Sequence, residues 1–236
     1  MSANSIAEKF EVIADAVYEK GKEDENDRFW DDIQQKGNRN NYQACFMQWG
    51  AKTITPKYKI RTGTLYQLIA YCKELEYVVW DMIECTSDSF ASAYNFAINC
   101  SKLKSIDMDI NVSKATTTSG MTGAFQDCTE LERIQKIITS ANIQYNTTFK
   151  NCNSLKEIEF DGIIGQSIDF QHSPLNRASL ENIVEHLSPT STGQIVTFKK
   201  TAVGAAFDTT GNSDGYESAV WELIVASKSN WTISLV

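Results

Sequence analysis

The ten residues Phe125-Gln-Asp-Cys128-Thr-Glu-Leu131-Glu-Arg-Ile134 carry the pattern from which the fold of this chain follows. A second clear copy is Phe149-Lys-Asn-Cys152-Asn-Ser-Leu155-Lys-Glu-Ile158, and weaker copies at 97–106 and 69–78 keep the same apolar positions. The four cysteines of these copies are separated by 28, 28 and 24 residues. A fixed period with fixed apolar positions predicts one supersecondary unit stacked on copies of itself.

The repeated apolar positions predict a structural core made of stacked rows. The rows are Cys72, Cys100, Cys128 and Cys152, and Leu75, Leu103, Leu131 and Leu155. Stacking at a strand spacing of about 4.8 Å would permit disulfides. Free buried thiols are nevertheless favoured, because cysteine is a common small core residue and zinc sites need paired Cys or His at short spacing. No metal or other cofactor is expected.

After each Cys-x-x-Leu the sequence alternates apolar and polar residues, which predicts a short strand with one face inward. In 78–82, 106–110 and 158–160 the alternation is clean, whereas Lys136 occupies an inward position and predicts a bulge or a shift of face in the third copy. The segments before each cysteine are compatible with a single helical turn. Units of 24–28 residues fall within the range of leucine-rich repeats.

Composition narrows the functional classes. The chain has 236 residues and a formal net charge of -8, and its Lys and Arg residues are scattered, which argues against nucleic-acid partners and anionic membranes. No apolar run approaches the 18 or more residues of a membrane span, so no membrane insertion is expected. The first residues lack the basic and apolar blocks of a signal peptide, so export by that route is not expected.

The N-terminal residues 1–37 form a predicted helical segment for attachment or oligomerisation. Ser5 and Glu8 make a capping box. Apolar residues then recur at spacings of four, three and four, at Ile6, Phe10, Ile13 and Val17. This spacing fits a self-association seam, although two heptads are short for a coiled coil. Packing of the helix on its own domain remains the alternative.

Three further regions follow. Residues 38–64 are predicted to connect and to cap the repeats, which occupy 65–175, because terminal repeats need a cap against water. Residues 176–236 form a predicted C-terminal cap: a helix capped by Asn176, a strand at 194–198, a second helix with Tyr216, Ala219, Val220, Leu223 and Ile224 on one face, and a closing strand at 231–236. The predicted fold class is α+β, a short solenoid of about four coils.

The repeated phrase Phe-x-x-Cys-x-x-Leu-x-x-Ile resembles the BspA-like leucine-rich repeat, which occurs in bacterial surface proteins and in phage-encoded proteins. The segment Phe29-Trp30-Asp to Tyr42, with Pro56-Lys-Tyr58, is similar to the leader that precedes such repeats in structural proteins of phages and prophages of anaerobic Gram-positive bacteria. The end of the chain also resembles those proteins. The resemblance implies a leucine-rich-repeat protein associated with a phage tail, assembled in the bacterial cytoplasm, and by analogy a trimer.

A search for chemistry finds no catalytic constellation in the sequence. His172 and His186 lack a local nucleophile or base. Asp107-Met-Asp109-Ile-Asn111 imitates the start of a calcium loop but lacks its glycine and its terminal glutamate. If the strands align, the acidic residues Asp81, Asp107, Asp109, Glu159 and Asp161 would share one face. That face could bind a sugar, a cation or a basic partner, or could simply be solvated.

These observations predict a non-enzymatic virion component, namely a tail-fibre, baseplate or receptor-binding accessory protein. Its expected partners are other virion proteins and a glycan or protein of the host surface. A bacterial surface adhesin is the first alternative. A hydrolase acting on surface glycans is the second, and it would need paired carboxylates across a cleft.

Overall fold

The computed structural model describes residues 50, 52–55, 60–62, 64–85, 92–115, 120–207 and 219–236, with only the backbone described for 60–62, 81–85 and 219. In these residues the chain is a mixed α/β structure with three helices and two parallel sheets. The predicted oligomerisation residues, Ile6, Phe10, Ile13 and Val17, lie outside the described part of the chain, as does most of the connector at 38–64.

The larger sheet has six strands, all parallel. They are β1 (Thr53–Ile54), β2 (Ile60–Thr62), β3 (Tyr77–Cys85), β4 (Ser105–Asn111), β5 (Arg133–Thr139) and β6 (Glu157–Gly162). The order is β1-β3-β4-β5-β6, with β2 also paired to β3. Strands β3 to β6 therefore lie side by side in chain order, and the four copies of the phrase each contribute one of them.

Alternation along these strands separates a buried face from an exposed one. In β4 the buried residues are Ile106, Met108 and Ile110, as the pattern predicts. In β5, Ile134 and Ile137 are buried. The pairing of β5 with β6 shifts between these two residues, so the predicted irregularity is present, but similar shifts occur in the pairings of β3 with β4 and of β4 with β5. The bulge turns Lys136 outward and keeps a lysine out of the core.

The opposite side of the core is a row of turns rather than the predicted helical turns. Bonds from residue i+3 back to residue i recur through each segment, for example from Ala124 N to Met121 O at 2.9 Å. Alternate amides instead donate to the next copy, as Ala97 N does to Ala124 O at 2.7 Å and Phe125 N to Thr148 O at 3.0 Å. Every second backbone amide therefore joins neighbouring copies, which a helix would not allow.

A repeated left-handed backbone position explains why these segments are not helical. The residue before each cysteine has a positive φ near 60°: Tyr71, Asn99, Asp127 and Asn151. The residue four positions earlier does so too: Gln67, Asn95, Gly123 and Thr147. Asparagine, aspartate and glycine tolerate this conformation best, and they fill most of the eight positions.

The last third of the described chain adds a second sheet and three helices. Strands β7 (Ile168–Phe170), β8 (Gln194–Phe198) and β9 (Trp231–Leu235) pair in parallel in that order. The helices are α1 (Arg177–His186), α2 (Lys200–Ala206) and α3 (Ala219–Ala226). The side chain of Asn176 accepts the Ser179 amide at the start of α1, which is the predicted cap.

The predicted face of α3 is only partly correct: of the described side chains on that face, Ile224 alone packs against the core. Leu223 is 74% exposed and Val220 45% exposed, whereas Trp221 is only 4% exposed. Trp221 packs edge-on against Phe198, with ring centroids 5.7 Å apart, and also contacts Phe207. One large aromatic side chain therefore sets the rotation of the helix, because it buries more apolar area than the aliphatic residues beside it.

Helix α1 lies where a further strand would pair with β6. The Ser179 hydroxyl accepts the Ile158 amide at 2.9 Å. The Asn182 side chain accepts the Phe160 amide at 2.7 Å and donates to the Phe160 carbonyl at 3.2 Å. An open parallel edge would leave these backbone groups unpaired. Two helical side chains three positions apart thus complete the edge of the sheet.

An aromatic column connects the repeats to the C-terminal region. Successive ring centroids are 6.0 Å apart from Phe96 to Phe125, 5.8 Å from Phe125 to Phe149, 4.6 Å from Phe149 to Phe170 and 6.1 Å from Phe170 to Phe198. The first three rings come from the turn segments and the last two from β7 and β8. The residues that the structure describes therefore share one hydrophobic core.

Candidate binding surface

The exposed face of β4, β5 and β6 carries the predicted acidic residues, but it is not a continuous acidic patch. Asp107 accepts a hydrogen bond from Ser105 at 2.8 Å and contacts Arg133. Asp109 accepts a hydrogen bond from Gln135 at 2.8 Å. Strand β5 thus inserts basic and amide side chains between the acidic residues of β4 and those of β6, which corrects the expected acidic face to one of mixed charge.

The acidic residues of β6 are neutralised to different degrees. Glu159 forms a hydrogen-bonded ion pair with Lys136 at 3.2 Å, and this interaction raises the pKa of the lysine. Asp161 is exposed near the end of the strand. The backbone of Asp81 lies in β3, but its side chain is outside the described part of the structure.

Arg133 is the centre of this face and was not singled out by the sequence patterns. Its guanidinium contacts Asp107 of β4 through Nη1 and lies 3.4 Å from Glu157 of β6 through Nε. A comparison of equivalent positions in successive copies could have identified it. The first strand position of these copies holds Ser105, Arg133 and Glu157, which pair in register.

A second ladder of charges follows the leucine row. The residue after each leucine is Glu76, Lys104, Glu132 or Lys156, so the sign alternates from copy to copy. Backbone bonds join neighbouring members, and ion pairs link Lys104 to Glu76 at 2.7 Å and Lys156 to Glu132 at 3.6 Å. The hydrogen bond from Lys104 lowers the pKa of Glu76. Skipping one copy would bring like charges together, so this ladder favours one order of stacking.

An open depression of about 400 Å³ lies between the exposed face and α1. Its walls are Arg133, Gln135, Glu157 and Glu159 on the strands and Asn176, Ala178 and Asn182 on the helix side, over the buried Ile134, Ile158 and Ser179. This volume is within the range of small-ligand sites, about 300–1,000 Å³. The depression exists because a helix, which is wider than a strand, completes the sheet edge.

The cysteine row is buried and chemically quiet. Cys72, Cys100, Cys128 and Cys152 are free thiols, as predicted. The Sγ atoms of the last three donate to carbonyls of the preceding copy at 2.9, 3.1 and 3.1 Å. Burial raises the pKa of Cys128 to about 12 and that of Cys152 well above its usual range. The thiols of Cys128 and Cys152 therefore stay protonated and are poor nucleophiles or metal ligands.

The leucine row is buried in the same core. Leu75, Leu103, Leu131 and Leu155 are each fully buried, inside the copies that carry them. Because both rows contribute only packing, the residues available for recognition are those between them.

The two histidines lie apart from the exposed face of β4 to β6. His172 follows β7 and is partly buried, and Nδ1 of His186 lies 2.8 Å from the Asn182 carbonyl at the end of α1. The calcium-like segment forms β4, in which Met108 and Ile110 point into the core. Within the described ranges, no group of three or more His, Cys, Asp or Glu side chains could hold a metal ion.

Of the helices that the structure describes, none is long and apolar enough to cross a membrane. Comparison of the chain with protein-family models, with curated proteins and with solved structures gives no significant match.

Proposed function

We propose that this chain is a non-enzymatic virion protein with BspA-like leucine-rich repeats, in which a short solenoid of about four coils presents a recognition surface. It would act as a tail-fibre, baseplate or receptor-binding accessory component. Its partners would be other virion proteins and a glycan or protein of the host surface. The assignment to a phage rests on the resemblance of the repeated phrase and its flanking segments.

The observation that carries the proposal is the ordered polar face of β4, β5 and β6. Its side chains project from strands paired in register, and they are held by contacts such as Asp109 with Gln135 and Lys136 with Glu159. Side chains fixed in this way lose little conformational entropy when they bind. The parallel strands and the second backbone ladder support the solenoid, because each copy contacts its neighbours.

The proposal is tested by locating the protein in particles. Antibodies raised against residues 65–236 would be applied in immunogold electron microscopy to particles induced from the bacterium that carries the gene. We expect labelling at the tail or baseplate. If the antibodies label the bacterial surface and no particle, the adhesin alternative is favoured and the virion assignment is wrong.

A second measurement addresses the non-enzymatic part of the proposal. Purified protein would be incubated with cell-wall and capsule polysaccharides of the same bacterium, and released sugars would be measured. Release that is lost in Asp107→Asn or Asp109→Asn protein would contradict the proposal and support the hydrolase alternative.

A further inference from the structure

The depression beside α1 has a hydrogen-bonding character that restricts its ligand. Arg133 uses Nη1 on Asp107 and Nε on Glu157, which leaves Nη2 as a donor. Gln135 uses Nε2 on Asp109, which leaves Oε1 as an acceptor. Asn176 uses its oxygen on the Ser179 amide, which leaves its NH₂ group as a donor. The depression is therefore lined by free donors and by a free acceptor.

The charges around the depression restrict the class of ligand further. Arg133 lies between two carboxylates, and Lys136 is paired with Glu159. An anionic ligand would meet excess carboxylate, and a cationic ligand, which only donates, would face the free donors of Arg133 and Asn176. A hydroxyl group donates and accepts at once, and it requires no charge to be neutralised.

We infer that the depression binds a neutral saccharide. The planar guanidinium, amide and carboxylate groups of Arg133, Gln135 and Glu157 would take pairs of neighbouring hydroxyls, and Ala178 would leave room for the ring. The contacts of Arg133 with Asp107 and Glu157 hold its side chain in place before binding, and the hydrogen bond to Asp109 does the same for Gln135. Side chains that are already fixed lose less entropy when a ligand binds. This inference rests on the proposed recognition function and names the ligand class and the place where it binds.

The test uses the full chain and neutral sugars as probes. Methyl glycosides of glucose, galactose, mannose, N-acetylglucosamine and rhamnose would be titrated to millimolar concentration, and binding would be followed by protein NMR. N-acetylneuraminic acid and a lysine-rich peptide would be titrated in parallel. We expect at least one neutral glycoside to bind and to perturb the amides of β5, β6 and the start of α1.

Two variants locate the site. Ala178→Trp fills the depression from an exposed helical position, and Gln135→Leu removes the free acceptor. Each should weaken binding at least about tenfold. The matched control is Ala205→Trp, which makes the same change at an exposed position of α2 and should leave the affinity unchanged.

Two kinds of result would contradict the inference, one on the class of ligand and one on the place where it binds. If none of the neutral glycosides binds, or if only the acidic sugar or the basic peptide binds, the ligand class is wrong. If a glycoside binds equally well to the Ala178→Trp and Gln135→Leu proteins, the place is wrong. Labelling of the particles does not depend on these titrations, so failure here is distinguishable from failure of the virion assignment.

Discussion

Replacement of Asn182 by alanine should destabilise the protein far more than its position on a helix surface suggests. Asn182 is half-buried, and its amide pairs with both backbone groups of Phe160 at 2.7 and 3.2 Å. Phe160 is 1% exposed. Alanine would leave a backbone amide and a carbonyl without their partners at the edge of the sheet, while keeping the helix intact.

The magnitude follows from the number of groups that lose a partner. Each buried, unsatisfied polar group costs about 1–3 kcal/mol. The depression beside α1 admits water, so the lower end of this range, about 1–1.5 kcal/mol, applies to each of the two groups. We expect the free energy of unfolding to fall by about 2–3 kcal/mol. Glu185→Ala, an exposed change on the same helix, should stay within about 0.5 kcal/mol of the original protein.

Urea denaturation followed by tryptophan fluorescence measures this loss, and native-state hydrogen exchange locates it. Protection of the Phe160 amide should fall by about 30- to 150-fold, which corresponds to the same free energy. Ser179→Ala should lower the protection of Ile158 in the same way, since its hydroxyl accepts that amide. An Asn182→Ala protein that unfolds like the Glu185→Ala protein and keeps its Phe160 amide protected would refute the view that α1 completes the sheet.

Three further predictions concern the core and its turns. Gly162→Ala places a Cβ 2.3 Å from the Thr139 carbonyl at a φ of +97° and should lower the free energy of unfolding by about 3 kcal/mol. Gly193→Ala, at positive φ but in open space, should lower it by about 1 kcal/mol. Urea denaturation of the two variants separates the effect of crowding from that of backbone strain. Phe149→Ala, in the middle of the aromatic column, should cost about 3–5 kcal/mol by the same measurement, and Phe149→Leu clearly less. Because burial raises the pKa of Cys128 from 9.0 to about 12, its thiol ionises first in the unfolded chain. The stability present below pH 9 is therefore lost as the pH rises toward 12. A Cys128→Ala protein should lack about 1 kcal/mol of the decline in unfolding free energy that is measured between pH 9 and 10.

Period and polarity were sufficient to predict the strands that follow each leucine and the rows of buried residues between them. The position of Lys136 also predicted the irregularity in β5, but the same kind of register shift recurs in β3 and β4, where the alternation of residues held no such signal. The segments before each cysteine are compatible in sequence with a single helical turn, but they form non-helical turns instead. The signal was present in Asn99, Asp127 and Asn151, residue types that favour the left-handed conformation when they precede a fixed apolar position.

Two elements near the C-terminal end of the described chain were not predicted, for different reasons. Strand β7 has only three residues, too few to show a period, and its pairing with β8 joins segments 28 residues apart. Helix α2, at Lys200–Ala206, has no side-chain cap, no acidic residue in its first turn and no basic residue in its last turn. The local sequence signals for such a short helix are weak, and the helix forms because Ala202 and Val203 pack against the core.

The candidate binding surface shows why side chains assigned to one face by period alone do not yet define its chemistry. Alternation placed Asp107 and Glu159 on the same side correctly, but the charge of that side depends on Arg133 and Lys136, which come from the strand between them. In a parallel sheet, each residue has neighbours from the preceding and the following copy, so the chemistry is set across the copies rather than along one of them. A row such as Ser105, Arg133 and Glu157, compared at the same position of successive copies, is therefore the unit from which recognition by this surface should be inferred.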